Sequence, residues 1–353
     1  MMISVSNHFQ YNCTFLISVP SNNNVEYSEE SEESENSEGS KGSKLKGAFL
    51  VLTNRCNLQC KYCYQNSSPS IDVSDELTKS EWLSIIDELK RLGATEINMV
   101  GGEPIARPDF WEMLDYAADK GFKIKIFTNG LLLTPESIKK LKGYAQLSLS
   151  FNLNSYEKEM QEFYQGAATW DTLIAVMQEC RKQGLEFEVS TPVTGKTYGG
   201  LDKYIKFCAE LGAKRIRLLP LILMGRAQPL KNDSLSETQV ISLKEKVEAW
   251  NKKRNANKKK DTKGNTNRNT KKNEERNEIE ITVGCRTCEG GVNYLTIQPN
   301  GDVTPCSLIR DKIFGNIKAN SLKEIMGNSY SIEYRKLRKK QKYTCLTGLA
   351  AEI

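Results

Sequence analysis

Three cysteines stand close together at Cys56, Cys60 and Cys63, in the spacing C-x3-C-x2-C. Thiolates are ligands of soft metals. Three of them can hold three irons of a cubane [4Fe–4S] cluster and leave the fourth iron open to a second molecule. An open position is what a catalytic metal site has and a closed structural site lacks. The same sulfurs would serve zinc if a fourth ligand came from elsewhere. The single histidine, His8, lies far off in the N-terminal stretch, and Cys180 and Cys208 fall in helix-like segments where cysteine behaves as a small apolar residue. Spacing therefore favours iron–sulfur over zinc. A second set, Cys285, Cys288, Cys306 and Cys345, recurs far along the chain and also clusters like ligands rather than scattered disulfide partners.

The elements that must position these thiols follow from the hydrophobic pattern. Short apolar runs predict strands at Ala48–Thr53, Glu96–Val100, Lys123–Phe127, Gln146–Phe151, Glu186–Thr191 and Arg215–Leu219. Between them lie helical patterns at Lys79–Leu92, Pro108–Lys120, Pro135–Leu141, Trp170–Gln183 and Gly200–Leu211. Several end at glycine (Gly93, Gly121, Gly143, Gly184, Gly212), where a left-handed cap costs least. Strict alternation argues for parallel βα units. Six strands are too few for a closed eight-fold barrel, so the expected class is α/β, a partial (β/α)6 TIM-like barrel. The cysteine loop follows its first strand and so sits at the C-terminal face, where such barrels build active sites.

Flanking this core, residues 1–44 end in a Ser/Glu/Asn/Gly-rich run that predicts a disordered tail, and 45–230 form the core domain. Residues 231–280 read as a helix over Ser236–Trp250 followed by a low-complexity Asn/Lys-rich linker, and 281–353 as a small C-terminal extension. In the extension, Tyr294–Gln298 and Asp302–Thr304 flank Asn300-Gly301, the pattern of a β-hairpin. The chain has 353 residues, 39% hydrophobic, with formal charge +6. Residues 251–280 carry 11 Lys/Arg against 5 Asp/Glu, which is the whole excess, so no nucleic-acid surface is implied. The apolar run Phe15–Val19 is too short to span a bilayer and has no basic region before it. The expectation is a cytoplasmic protein without membrane or nucleic-acid partners, since thiolate-held iron persists where disulfides do not.

The C-x3-C-x2-C loop, with aromatic Tyr62 before the third cysteine, resembles the signature of the radical S-adenosylmethionine superfamily. Gly101-Gly102-Glu103-Pro104, at the end of the second strand, is similar to that family's GGEP motif. A methionyl ammonium needs a carboxylate and carbonyls nearby, and glycines let a backbone approach. Ser148–Asn152 on the fourth strand looks like the segment that contacts the ribose, although the family often has Asp where this chain has Asn152. The resemblance thus implies Tyr62, Gly101, Gly102, Glu103, Pro104, Ser150 and Asn152 as cofactor-binding residues. Thr128-Asn129-Gly130 is similar to the family's TNG segment and reads more readily as a turn. Met224-Gly225-Arg226-Ala227, after the sixth strand, reads as core. By resemblance, Cys56, Cys60 and Cys63 hold a [4Fe–4S] cluster that cleaves S-adenosylmethionine to a 5′-deoxyadenosyl radical. The radical takes hydrogen from a peptide or a cofactor precursor, and the electron comes from a donor such as ferredoxin or flavodoxin.

Cys288, twelve residues, Gly301, four residues, Cys306 is similar to the opening of the SPASM and twitch extensions, which hold auxiliary clusters. The continuation C-x2-C-x5-C-x3-C is missing, so a second auxiliary cluster is not implied. One twitch-like cluster on Cys285, Cys288, Cys306 and Cys345 is. The alternatives are zinc on the same four thiolates, or a truncated domain without a cluster. For the whole chain the alternatives to an enzyme are a non-catalytic iron–sulfur or zinc-binding protein on the same barrel, and a truncated paralogue.

Overall fold

A computed structural model describes residues 45–261, 279–284 and 288–340. Cys285 and Cys345, the tail 1–44 and the linker residues 262–278 lie outside the described residues. Six strands, β1 (Gly47–Val51), β2 (Glu96–Val100), β3 (Lys123–Thr128), β4 (Leu147–Asn152), β5 (Phe187–Val193) and β6 (Arg215–Pro220), pair side by side and parallel in sequence order. Helices α1 (Lys79–Arg91), α2 (Phe110–Asp119), α3 (Pro135–Lys142), α4 (Lys158–Gln165), α5 (Thr169–Gln183), α6 (Gly195–Tyr198) and α7 (Leu201–Leu211) connect them. This is the partial (β/α)6 barrel that the alternation predicts. The short helices α4 and α6 were not expected: α6 is a single turn of four residues, and α4 begins after Glu157 without a side-chain cap, unlike equally short α3, which Thr134 and Pro135 announce.

Both edges of the six-stranded unit are extended by later chain. β7 (Glu280–Val283) adds parallel to β6, and β8 (Tyr294–Ile297) adds parallel to β1. Among the described residues eight parallel strands therefore run in one row, followed by antiparallel β9 (Asp302–Thr304) and β10 (Gly315–Asn316) beyond β8. The expected hairpin is β8–β9. Its turn uses positive φ at Gly301 (+94°), while Asn300 keeps an ordinary backbone. Helix α8 (Glu237–Asp261) runs past the expected end at Trp250 and through the start of the Asn/Lys-rich run. Asn251 on it donates to Ile281 O (2.8 Å) and accepts from Ile281 N (3.3 Å), so its amide serves the outer edge of β7 as a strand would. Two more helices, α9 (Leu322–Gly327) and α10 (Ser329–Lys340), close the extension.

Alternate strand residues such as Ile97, Met99, Ile124 and Ile126 pack with Ile85, Leu89, Met113 and Leu114 of the helices in one buried core. The opposite face carries Lys125, Glu188, Arg215 and Arg217 in a salt-bridged set. A closed barrel fills this face with branched apolar side chains. Here it is polar, as an open barrel with a wet concave side requires. Gly93, Gly121, Gly184 and Gly212 have the left-handed φ expected of them. Gly143 does not, at φ −69°, so its helix ends without the left-handed cap. No helix among the described residues is long and apolar enough to cross a membrane.

Candidate active site

The backbone leaves β1 into the cysteine loop under the control of Glu76 and Arg107. Glu76 accepts from Asn54 N (2.6 Å) and the Thr53 hydroxyl (3.1 Å). Arg107 donates to Leu52 O (2.8 Å) and Leu77 O (2.7 Å) while pairing with Asp109 at 2.6 Å. Further along, Cys56 N reaches Ser68 O at 3.2 Å, so the loop closes on itself.

Gly101 and Gly102 lie against this loop. A methyl at Gly101 would fall 2.6 Å from Thr53 O, and one at Gly102 would fall 2.8 Å from Asn54 O and collide with Arg55 O. Gly102 N donates to Thr53 O (2.8 Å) and Glu103 N to Arg55 O (2.9 Å). The glycines are thus needed for the close approach of two backbone segments. Glu103, fully buried, turns its carboxylate away from solvent. It accepts from Thr128 Oγ1 (2.9 Å), Asn129 N (2.8 Å) and Ile105 N (3.2 Å), and Pro104 opens the short 3-10 turn that brings Ile105 round. Burial raises this carboxyl to about 7 against the three hydrogen bonds, which lower it.

The Thr128-Asn129-Gly130 segment does more than turn the chain. Besides binding Glu103, Asn129 Nδ2 lies 2.7 Å from Asn57 Oδ1 and 3.8 Å from Cys56 Sγ. Leu58 N adds a second donor, 3.4 Å from Cys56 Sγ. Arg226, expected to be core, clasps the loop from the exit of β6. Its Nε donates to Cys60 O (3.0 Å), its Nη2 to Ser67 O (2.6 Å) and its backbone N to Cys63 O (3.0 Å). Gly225 has φ +55°, and a methyl there would lie 2.6 Å from Cys63 O, so only glycine lets this clasp close.

Tyr62 is held by Gln165 on α4, whose Nε2 donates to the Tyr62 hydroxyl (2.9 Å) and to Asn152 O (3.0 Å). Gln161 continues the chain to Gln165 Oε1 (2.6 Å) and to Asn154 N (2.7 Å). Ser150 meets Ser190 at 3.1 Å on the concave face, and Asn152 ends β4 in register with Ser190. The structure thus gathers Tyr62, the Gly101–Pro104 segment and the end of β4 around the loop. It adds Asn129, Arg226 and Gln165, of which Asn129 and Arg226 stood in segments that the sequence displayed.

Burial pushes the Cys56 thiol to about 11, and burial with the charges of Cys56 and Cys63 pushes Cys60 to about 12. Left alone, these side chains stay protonated, and only a cation in their midst makes them thiolates. Among the described residues, no three His, Cys, Asp or Glu side chains converge to chelate one metal ion. A cubane asks for a different arrangement, since each sulfur takes a different iron. Three sulfurs within reach of one another's charge, with N–H groups directed at Cys56, fit a cluster.

A second thiol site lies in the extension. Cys288 and Cys306 are half-buried on either side of the β8–β9 hairpin. Half-buried Tyr64, next to Cys63, stands between the two sites. Ser307, Arg310, Cys63 and Cys306 all lie within electrostatic reach of its hydroxyl. Gln65, with its amide turned to satisfy both neighbours, donates to Gly101 O (2.9 Å) and accepts from Arg310 (3.1 Å). The extension is therefore stitched to the barrel mouth next to the cysteine loop.

An open parallel barrel with a three-thiol loop at its mouth and a paired-cysteine hairpin beside it defines an iron–sulfur enzyme architecture. Residues 50–208 match the radical SAM superfamily model, and residues 288–347 match that of the SPASM iron–sulfur cluster-binding domain. The chain is 28% identical over 295 residues to the AdoMet-dependent heme synthase of Methanosarcina barkeri, covering 81% of this chain and 83% of that protein. It is 31% identical over 176 residues to the mycofactocin maturase MftC of Mycobacterium tuberculosis, covering 50% of this chain and 44% of that one. The crystal structure of Streptococcus suis SuiB bound to S-adenosylmethionine has the same fold, with TM-score 0.63 and 16% identity over 83% of this chain and 68% of that one. The chain is a radical SAM enzyme with a SPASM-type extension. That membership brings a [4Fe–4S] cluster and S-adenosylmethionine as cofactors, and an auxiliary iron–sulfur site with the extension.

Proposed function

We propose that this enzyme cleaves S-adenosylmethionine reductively at a cluster held by Cys56, Cys60 and Cys63 and uses the product to abstract hydrogen from a peptide or a cofactor precursor. The observation that carries the reading is the loop itself: three thiols at a barrel mouth, donors aimed at Cys56, and a clasp from Arg226. When bound, the cluster and S-adenosylmethionine supply an electron to a sulfonium, a homolytic carbon–sulfur cleavage and a 5′-deoxyadenosyl radical.

The chain's own residues bind, orient and exclude water. Gly101, Gly102, Glu103 and Pro104 present backbone beside the cysteine loop for the methionyl end of the cofactor. Because the Glu103 carboxylate is spent on Thr128, Asn129 and Ile105, we assign the contact to that segment's backbone. Ser150 and Asn152 face the ribose, and Tyr62 is fixed by Gln165 to wall the mouth. Cys288 and Cys306, with Cys285 and Cys345 from outside the described residues, hold one auxiliary cluster. The working division is a tail at 1–44, a core at 45–230, a helix and linker at 231–280 and the extension at 281–353. A ferredoxin- or flavodoxin-type donor in the cytoplasm would provide the electron.

The heme synthase match, which runs most of the length of both chains, favours a cofactor precursor. The maturase match, over half of this chain, carries the peptide reading. Anaerobically reconstituted protein given dithionite and S-adenosylmethionine should yield methionine and 5′-deoxyadenosine in equal amounts. A fully loaded cluster that releases none would show a non-catalytic iron–sulfur protein instead, and a zinc-filled site would end the reading.

A further inference from the structure

The cysteine loop carries charge of a single sign. Between Thr53 and Ile71 the charged residues are Arg55 and Lys61, with no acidic residue among them. Both are exposed, and neither forms a salt bridge with a described residue. Lysines on the barrel helices are commonly paired, as Lys120 is with Asp87 (2.6 Å), Lys140 with Asp115 (3.1 Å) and Lys158 with Asp171 (2.5 Å). Lys61 follows Cys60 directly, and its ammonium lies 3.6 Å from the centroid of the Phe163 ring on α4. Lys196 of α6, itself paired with Asp233, approaches the same ring at 4.7 Å. Phe163 is 39% exposed, the one exposed aromatic side chain among the described residues. Packed rings lead inward from it. Tyr164 lies 5.0 Å from Phe163, and Tyr62, between Cys60 and Cys63, lies 6.2 Å from Tyr164. Lys61 N donates to Tyr164 O (2.8 Å), which ties this end of α4 to the loop.

An aromatic ring with a charged rim is the anatomy of a small protein interface. Electron-transfer encounters are small and short-lived, and opposite charge across the contact sets their rate. A partner protein that delivers an electron here must bring its carrier close to the three thiols. The Phe163 ring offers it an apolar centre continuous with the loop, and the unpaired cations select a negative surface.

We propose that Lys61, Phe163 and Lys196 form the docking surface for a small acidic electron-donor protein, with Arg55 adding to the positive field of the loop. The assignment rests on the reading that Cys56, Cys60 and Cys63 hold a cluster. One electron leaves the donor, whose anionic flavin hydroquinone becomes the neutral semiquinone, and the oxidised cluster is reduced by one electron. No bond or proton changes hands.

The test uses the full chain, reconstituted anaerobically, with a bacterial flavodoxin as the probe. Affinity is measured by calorimetry, and contacts are mapped with a carbodiimide, which joins lysine to carboxylate where the two pair. Wild type should bind, lose about tenfold or more in affinity as salt rises from about 0.01 M to about 1 M, and cross-link through Lys61 or Lys196. Phe163→Glu should raise Kd about tenfold and slow 5′-deoxyadenosine formation driven by flavodoxin hydroquinone. Formation driven by dithionite, a small anion that needs no docking surface, should keep its rate. Lys61→Gln should raise Kd about threefold. If that variant loses iron, Phe163→Glu, which lies outside the cysteine loop, decides alone. No saturable binding at low salt, cross-links that map elsewhere, an unmoved Kd in Phe163→Glu, or an equal fall with both reductants would overturn the inference. Wild-type protein that binds and cross-links as expected but releases no 5′-deoxyadenosine with dithionite would overturn the reading of the loop and leave the docking surface standing.

Discussion

Each cysteine site of this protein has an arginine bonded to the carbonyl of a cysteine, and the two arginines do different work. Arg226 is partly exposed and spends its guanidinium on two carbonyls of the loop it spans, Cys60 O and Ser67 O. Arg338 is fully buried and bonds Cys288 O from the helix beneath the hairpin. The buried ionisable group at the barrel mouth is a carboxyl, Glu103, whereas in the extension it is the Arg338 guanidinium. At the mouth, a buried carboxyl with three donors locks two loops together.

The harshest way to break the comparison is to remove a mouth thiol. Cys56→Ala, Cys60→Ala or Cys63→Ala should each abolish 5′-deoxyadenosine formation and cost about four irons per chain while the auxiliary signal persists. Activity near wild type in any of the three would show that the loop does not hold the cluster. Next comes the buried carboxyl. Glu103 has its carboxyl raised from 4.5 to about 7 by burial, so the folded chain holds a proton that the unfolded chain has lost between those values. Its contribution is therefore greatest below pH about 4.5 and is lost as the pH rises to about 7, by roughly 3 kcal/mol at most. Denaturation of metal-free wild type and Glu103→Gln across this range should show their stability difference shifting against the wild type as pH rises, then levelling. A flat difference would mean that Glu103 is ionised throughout.

How much of this the sequence displayed differs between the two sites for physical reasons. The mouth is built from strand ends and turns, which sequence marks well. Apolar runs stop at Thr53, Val100 and Thr128, and the residues just beyond are the cysteine, Gly-Gly-Glu-Pro and Thr-Asn-Gly segments. What did not show was the inward aim of Glu103 or the bond from Gln165 to Tyr62, which depends on an eight-residue helix with no side-chain cap to announce its start. In the extension, β7 and β8 flank the barrel through pairings across long stretches of chain, with β8 meeting a strand some 250 residues earlier, and pairing that distant leaves no local pattern. Arg338 lies in Tyr-Arg-Lys-Leu-Arg-Lys-Lys, a run that reads as a solvated basic face. Its burial became visible only once the hairpin was packed on it.

Arg226→Ala sharpens the comparison at intermediate size. Losing two charge-assisted bonds to the loop should cost about 1.5–3 kcal/mol in chemical denaturation and should lower iron retention at the mouth. The iron held by the extension should not change. Loss of iron from the extension as well would mean that the two sites are coupled through Tyr64, which both Cys63 and Cys306 reach electrostatically.

The smallest effect expected comes from Gly301→Ala in the β8–β9 turn. Gly301 sits at φ +94°, and an added methyl would fall 2.9 Å from Asn316 Oδ1 and 3.0 Å from Ile317 Cγ2. A left-handed backbone costs a non-glycine residue about 1 kcal/mol, and the neighbours here belong to a short edge strand that can give way. The chain should melt about 2–4 °C lower. Because Gly301 N also bonds Gln298 O and its own carbonyl receives Ile317 N, the strain falls on the hairpin that separates Cys288 from Cys306. Auxiliary iron should therefore be lost faster on dilution, while 5′-deoxyadenosine formation per mouth cluster holds. An equal fall in both would show that the hairpin, which shares a sheet with β1, supports the mouth through β8 as much as it supports its own cysteines.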